Sequence, residues 1–272
     1  MRRNLTPWAG WQVAGWQWLP YCPSPQPPAY FVPMPPIDLL AIAAHRDDVE
    51  LTCAGTLLRA RDDGHTTAIL DLTAGETGTR GSADLRAEEA ARAARILGVA
   101  ERANAGLPDA HLTNDEESRR VVVGWIRRFA PRVVILPFPV GRHPDHRVAS
   151  ELGRDACYLA GLEKYPAPGL PFRPFKILYA LAYREDPLKP TFVVDISAQF
   201  ERKMEAIHCY ASQFEGAKNA GEIFPTGQDL YSLIEIQNAH YGSLIRSRYG
   251  EPFFTHETMA VDDVVGLGVQ SM

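Results

Sequence analysis

The 272-residue sequence predicts an α/β protein, a Rossmann-like three-layer α/β/α sandwich on a mostly parallel sheet. Short, nearly unbroken apolar runs recur from Ile37 onward: "IDLLAIAA", "TTAILDLT" and "RVVILPF". Helical patterns of ten or more residues separate them. Strands apolar on both faces and joined by helices belong to a parallel sheet covered on both sides.

The elements follow in order. After the first strand comes "VELTCAGTLLRARDDG", with Thr56, Leu57 and Ala60 at helical spacing and Gly64 as a stop. "TTAILDLT" is the second strand. "LRAEEAARAARILG", residues 85–98, is an amphipathic helix with small and apolar residues on one side and Gly98 as its C-cap. "NDEESRRVVVGWIRRFA" offers Asn114 as N-cap, acids in its first turn and arginines in its last, as the helix dipole prefers. "RVVILPF" is a β-branched run bounded by prolines. "FKILYALAY" and "TFVVDIS" read as two further strands, with an antiparallel edge as one arrangement open to them. Long helices follow from about Gln199 and Asp229.

A formal net charge of −5 argues against a nucleic-acid or anionic-membrane partner. No apolar run approaches the ~20 residues that span a bilayer. Cys22, Cys53, Cys157 and Cys209 are scattered and form no C-x-x-C pair, which suits a reduced, cytoplasmic protein without a thiolate metal site. Four of the five tryptophans fall in the first 18 residues, and eight prolines lie between Leu19 and Ile37. Gln12 and Gln17 interrupt the apolar stretch behind Arg2 and Arg3, which argues against a secretory signal. Residues 1–33 are read as an irregular extension and 34–272 as a single domain, with Met34 as the natural start.

In open α/β sheets, functional residues gather where loops leave the carboxyl ends of strands. No G-x-G-x-x-G follows the first strand; "AHRDDVE" stands there instead, and its carboxylates would repel a pyrophosphate. The second conspicuous loop is "PVGRHPDHR", residues 139–147. Together the two loops concentrate three of the eight histidines and three aspartates. A catalytic zinc site takes three nitrogen or oxygen ligands and keeps an open position. His45 and Asp48 can face one point from a tight turn, and either His143 or His146 would complete the set. The remaining carboxylate and imidazole would be free for acid–base work. Taken singly, Asp47 and Asp48 also fit the N-cap and first turn of a helix, and "HPDH" an ordinary polar turn. Their joint placement at two strand ends favours a metal site.

"AHRDDVE" with "RHPDH" resembles the LmbE-like (PIG-L) N-deacetylases, zinc hydrolases that remove acetyl groups from N-acetylglucosamine conjugates. The similarity extends over about residues 37–255. "DLTAGETGTRGSADLRAEEAARAARILGV", "LPD" and "YASQF" look like the branch associated with bacillithiol biosynthesis. The resemblance implies His45, Asp48 and His146 as Zn2+ ligands, with Fe2+ an alternative for the same donors. It implies Asp47 as general base, later returning the proton to the departing amine. It also implies a protonated His143 stabilising the oxyanion, Asp145 orienting and charging that imidazole, and Arg86 contacting the substrate; a solvated helix arginine is the competing reading of Arg86. The expected substrate is a small amino-sugar conjugate, N-acetylglucosaminyl L-malate first, and the expected assembly a trimer-based hexamer. A mycothiol-type, chitobiose-like or antibiotic-intermediate substrate, or a non-catalytic metal- and sugar-binding protein, are the rivals.

Arg46 departs from the family, whose motif is usually A-H-P-D-D; the change bears on turn rigidity more than on metal binding. His65, His111, His208, His240, Tyr231 and Tyr241 read as turn, loop or packing residues. The glycines of "TAGETGTRGS" suit either a mobile rim loop that could close over a sugar or an ordinary loop.

Overall fold

The apolar runs become the centre of a seven-stranded sheet in the computed structural model, which describes residues 35–181, 188–215 and 229–269. The 1–33 extension and the Met34 start lie outside the described residues. The strands are β1 (Leu39–Ala43), β2 (Thr67–Thr73), β3 (Glu101–Leu107), β4 (Val133–Pro137), β5 (Lys176–Ala180), β6 (Phe192–Asp195) and β7 (Gly250–Phe254). Their order is β3-β2-β1-β4-β5-β7-β6. The first five are parallel, and β7 runs antiparallel to both β5 and β6. The expected parallel α/β sheet is therefore present. The reversed strand is β7, "GEPFF", which the sequence reading did not include because Glu251 and Pro252 interrupt its apolar character. Strand β3, "ERANAGL", likewise carries no apolar run, because it is an edge strand only half buried and largely polar.

The helices are α1 (Asp48–Thr52), α2 (Ala54–Asp62), α3 (Ala83–Leu97), α4 (Glu116–Phe129), α5 (Pro144–Ala160), α6 (Phe200–His208), α7 (Ala211–Phe214) and α8 (Leu230–Leu244). The single helix expected after β1 is broken at Cys53, with φ −145° and ψ 14°. α3 begins at an N-cap serine, Ser82, whose hydroxyl accepts from the Leu85 amide, and ends at Gly98 with φ 63°, the left-handed C-cap that glycine permits. α4 is capped by Asp115, which accepts from the Ser118 amide at 2.9 Å, one residue beyond the expected Asn114. Asn114 instead bonds Asp155 and Arg119.

Alternate residues of β1 face opposite layers. Leu40 and Ile42 pack with α4 and α5 through Val122, Ile126, Leu152 and Ala156. Leu39, Ala41 and Ala43 pack with α2, α3 and α6 through Leu57, Leu58, Ala93 and Ala206. Three layers result, as period-2 alternation of a doubly covered strand requires. Among the described residues no helix is long and apolar enough to cross a membrane.

One buried ion pair fastens the antiparallel edge to the helices behind β1. Glu251 and Lys203, both fully buried, lie 2.7 Å apart. Glu251 also accepts from the amides of Gly55 and Thr56 at 2.9 and 2.7 Å, in the first turn of α2, where unpaired amides favour an anion. Lys203 donates its other bond to the Leu51 carbonyl. Glu251→Gln leaves a buried ammonium without its counter-charge and is expected to cost about 3–5 kcal/mol, measured by urea unfolding. Adding Lys203→Met should recover much of that loss.

Candidate active site

β1 and β4 are adjacent parallel strands, so the loops leaving their carboxyl ends meet. The β1 loop is closed locally: the His45 amide donates to Asp48 Oδ2 at 2.9 Å, a side chain reaching back three residues to the main chain. His143 occupies the N-cap of α5, followed by Pro144 at the first helical position, and its Nδ1 accepts from the Asp145 amide at 3.2 Å. His146 follows one turn into α5.

These loops bring the predicted donors together. Asp48 lies between two imidazoles, with His45 Nδ1 3.3 Å from Oδ2 and His146 Nε2 3.1 Å from Oδ1. The candidate ligand atoms of His45, Asp48 and His146 all lie within 4.8 Å of one another. Two imidazole nitrogens and a carboxylate oxygen converging in this way fit a divalent cation of the zinc or iron type. The His143 ring centroid is 4.8 Å from that of His45 and 4.7 Å from that of His146.

Asp47 stands at the N-cap position of α1, yet its side chain makes no capping bond. Its Oδ1 instead faces Arg86 Nη2 at 3.4 Å. Burial raises its carboxyl above the ordinary value and Asp48 adds to this, against the opposing charge of Arg86. Arg86 is buried rather than solvated, and it donates to the Gly75 carbonyl at 2.9 Å. Gly75 has φ 70°, and a Cβ there would stand 2.1 Å from Arg86 Nη1. The glycine of the rim loop is what lets this arginine through.

Asp145 acts on His143 differently from the expectation. Its carboxylate accepts from the Ala110 amide at 2.8 Å and lies 3.5 Å from His45 Nε2. Only its main-chain N–H orients His143. Partial burial and the neighbouring His146 and His45 push the His143 imidazole below its ordinary value, outweighing Asp48 and Asp145.

Arg46 is tied down on both its main chain and its side chain. Its Nη1 donates to the Ala83 carbonyl in the first turn of α3 at 2.6 Å. Its own carbonyl accepts from the Arg102 guanidinium and the Tyr210 hydroxyl. Arg102 also clamps Asp71 with two bonds of 2.8 and 2.9 Å and reaches Glu50 at 2.6 Å. Burial pushes the Glu50 carboxyl up to about 7, against the pull of Arg102. Sequence reasoning gave Arg102, Asp71, Glu50, Tyr210 and Asp109 no role. The available signals were the "LPD" and "YASQF" stretches that contain Asp109 and Tyr210.

A parallel sheet that gathers two imidazoles and a carboxylate at its carboxyl edge, beside a second, partly buried carboxylate, defines a hydrolytic type of site. Known proteins agree. Residues 40–157 match the family described as PIG-L, GlcNAc-PI de-N-acetylase. The diacetylchitobiose deacetylase of Thermococcus kodakarensis is 34% identical over 225 residues, covering 78% of this chain and 80% of that protein. The 1D-myo-inositol 2-acetamido-2-deoxy-alpha-D-glucopyranoside deacetylase of Rhodococcus opacus is 30% identical, covering 78% and 93%. The crystal structure of a conserved protein from Thermus thermophilus has a TM-score of 0.74 and 38% identity, covering 83% of this chain and 98% of that one. The chain belongs to the PIG-L, or LmbE-like, family. It is a deacetylase, a hydrolase acting on an amide bond.

Arg46→Ala removes one charge-assisted hydrogen bond and should lower Tm by about 2–4 °C, the shift that ~1 kcal/mol gives in a domain of this size. Arg46→Pro should be better tolerated than Arg46→Ala: both keep the two bonds to the residue 46 carbonyl, and the fixed φ of proline stiffens the turn and offsets part of the loss. Arg102→Met strands Asp71 and Glu50 and should cost several-fold more in the same thermal melts, on the order of 3–5 kcal/mol.

Proposed function

We propose that this protein is a cytoplasmic, metal-dependent N-deacetylase of N-acetylglucosaminyl conjugates, and that N-acetylglucosaminyl L-malate is its substrate in bacillithiol biosynthesis. The observation that carries the chemistry is the His45–Asp48–His146 donor set beside Asp47, a partly buried carboxylate that caps no helix. Both named relatives act on 2-acetamido sugars, which supports the glucosamine class. The bacillithiol branch rests on the rim-loop, "LPD" and "YASQF" stretches.

His45, Asp48 and His146 would hold the cation, which when bound supplies Lewis-acid activation of a water molecule and of the acetamide carbonyl. Asp47 takes the proton of the attacking water; its raised proton affinity suits a group that must then pass that proton to the leaving amine. Arg86 keeps Asp47 in place and is the candidate contact for a sugar hydroxyl. His143 accepts the Asp145 amide at Nδ1, so its neutral form carries the proton on Nε2. We assign His143 as a neutral hydrogen-bond donor to the developing oxyanion, in place of the protonated imidazole that the sequence implied. The products are acetate and a free glucosamine amine.

A second reading keeps the chemistry and changes the sugar, to a chitobiose-like substrate, on the 34% identity to the Thermococcus enzyme. A panel of acetylated glucosaminyl malate, inositol and chitobiose conjugates, assayed for free amine with zinc-loaded protein, separates the two. Failure on every glucosamine conjugate would remove the proposal. Asp47→Ala should lower kcat by about 10²–10⁴-fold while the protein still binds one equivalent of zinc. Amine release unchanged in that variant would dismiss Asp47 as the base and favour a non-catalytic role for the site. Metal analysis of anaerobically purified protein distinguishes zinc from iron, and light scattering tests the expected homo-oligomer, a trimer or hexamer.

A further inference from the structure

We propose that Asp109 is a positioning residue for His45, fixing which imidazole nitrogen carries the proton and so which one faces the cation. This rests on the reading above, in which His45 is a ligand. Asp109 lies in the turn after β3 and is 5% exposed. Its Oδ1 stands 3.1 Å from His45 Nε2, while His45 Nδ1 points at Asp48 Oδ2, 3.3 Å away. The two ends of one ring are thus divided between a candidate co-ligand and a carboxylate outside the ligand set. A neutral imidazole has one proton, and an ionised carboxylate only accepts. The Asp109 side therefore keeps the proton on Nε2 and leaves the Nδ1 lone pair for the cation, the usual arrangement behind a metal-bound histidine.

The Asp109 carboxylate is itself immobilised. Oδ2 accepts from the Thr77 amide at 2.9 Å and from the Thr77 hydroxyl at 2.6 Å. Oδ1 accepts from the Ala110 amide at 2.9 Å. The Asp109 amide donates to Glu76 at 2.8 Å, so the residue is held from several directions. Asp145 is the competing partner, but its oxygen is 3.5 Å from His45 Nε2, at the limit of a hydrogen bond.

Ala110 adds an independent sign that this turn is built for the task. It has φ 61°, a left-handed conformation that disfavours a non-glycine residue by roughly 1–2 kcal/mol. In that conformation its single N–H lies within hydrogen-bond distance of both Asp109 and Asp145. One strained amide thereby serves the two carboxylates that flank His45, a placement that such strain commonly accompanies at functional sites.

Thr77 belongs to the same rim loop as Gly75, whose carbonyl receives Arg86. The loop therefore reaches His45 through Asp109 and Asp47 through Arg86.

The test uses the full-length protein, stripped with a chelator and titrated with zinc against a chromophoric competitor. Asp109→Ala should weaken zinc binding by about 10–100-fold. Asp109→Asn, which retains an acceptor oxygen, should lose less, and Thr77→Val, which only loosens the carboxylate, should lose least. With cobalt in place of zinc, the visible absorption band of Asp109→Asn should shift from that of the wild type. Thermal melts of the metal-free variants report folding separately; if Asp109→Ala does not fold, Asp109→Asn and Thr77→Val decide. Wild-type zinc affinity and cobalt spectrum in the folded variants, with only KM raised, would make Asp109 a substrate contact and overturn the inference. His146→Ala is the control for the underlying reading: zinc binding unaffected by that change would place the metal elsewhere and reject the ligand set itself.

Discussion

The site depends on the Arg102 guanidinium, which sits beneath the loop that follows β1. It satisfies two carboxylates, Asp71 and Glu50, and the main-chain carbonyl of Arg46 from an edge strand. Each of these partners is a polar group removed from water, and each would cost kilocalories if left unpaired. Arg102 is the common partner that makes their burial tolerable. It therefore fixes the main chain between His45 and Asp48 relative to β2, β3 and the Tyr210 hydroxyl. Candidate ligand atoms on two loops can stay within 4.8 Å of one another only if neither loop drifts. The β1 loop is held from below by Arg102, and the β4 loop by the N-cap geometry of α5.

The electrostatic character of the site follows from how these groups are distributed. Asp48, Asp109 and Asp145 surround His45, whereas Asp47 faces Arg86 and the Arg46 carbonyl receives Arg102. Burial opposes charge on His45, yet Asp48, Asp109 and Asp145 outweigh it and push the imidazole up to about 12. Asp48 is held well below the ordinary carboxylate value by His146 and His45, in spite of its burial. The field around His45 thus favours a positive charge at that point, and a divalent cation answers the same demand. Asp47 responds in the opposite direction, because burial acts on it more strongly than Arg86 does. Two adjacent aspartates in one turn are therefore driven apart, Asp48 below the ordinary carboxylate value and Asp47 above it. Such a separation of neighbouring titratable groups is what acid–base chemistry at neutral pH requires.

Much of this was legible in the sequence, for a physical reason. Strands β1, β2 and β4 are buried on both faces, so their composition announces them, and the loops at their carboxyl ends are short enough to be matched to strand ends by eye. Strand β3 hid because an edge strand need not be apolar, and β7 because its Glu251 is buried in a pairing with Lys203 that lies 48 residues away. The same distance in sequence concealed the supports of the site. Asp109 meets His45 across 64 residues and Tyr210 meets the Arg46 carbonyl across 164; no local pattern encodes either. The part of Asp145 that touches His143 was hidden for a different reason. The resemblance implies that Asp145 orients and charges His143. From the second position of the helix it meets its N-cap through the main-chain amide, while its carboxylate raises the imidazole through space and turns toward Ala110 and His45.

The arginine at position 46 shows how a departure from a family motif can be absorbed. A proline there would stiffen the turn through its fixed φ. The interactions that locate this segment, however, run through the residue 46 carbonyl, which any amino acid supplies. Replacing proline surrenders rigidity in the unfolded chain and admits a side chain long enough to reach the Ala83 carbonyl. Ala83 opens the helix that carries Arg86, and Arg86 contacts Asp47. The substitution therefore exchanges a local restraint on the turn after β1 for a tertiary one, anchored to the helix whose arginine touches the proposed base. Placement of Asp47 then depends on how α3 packs against the β1 loop rather than on the turn alone.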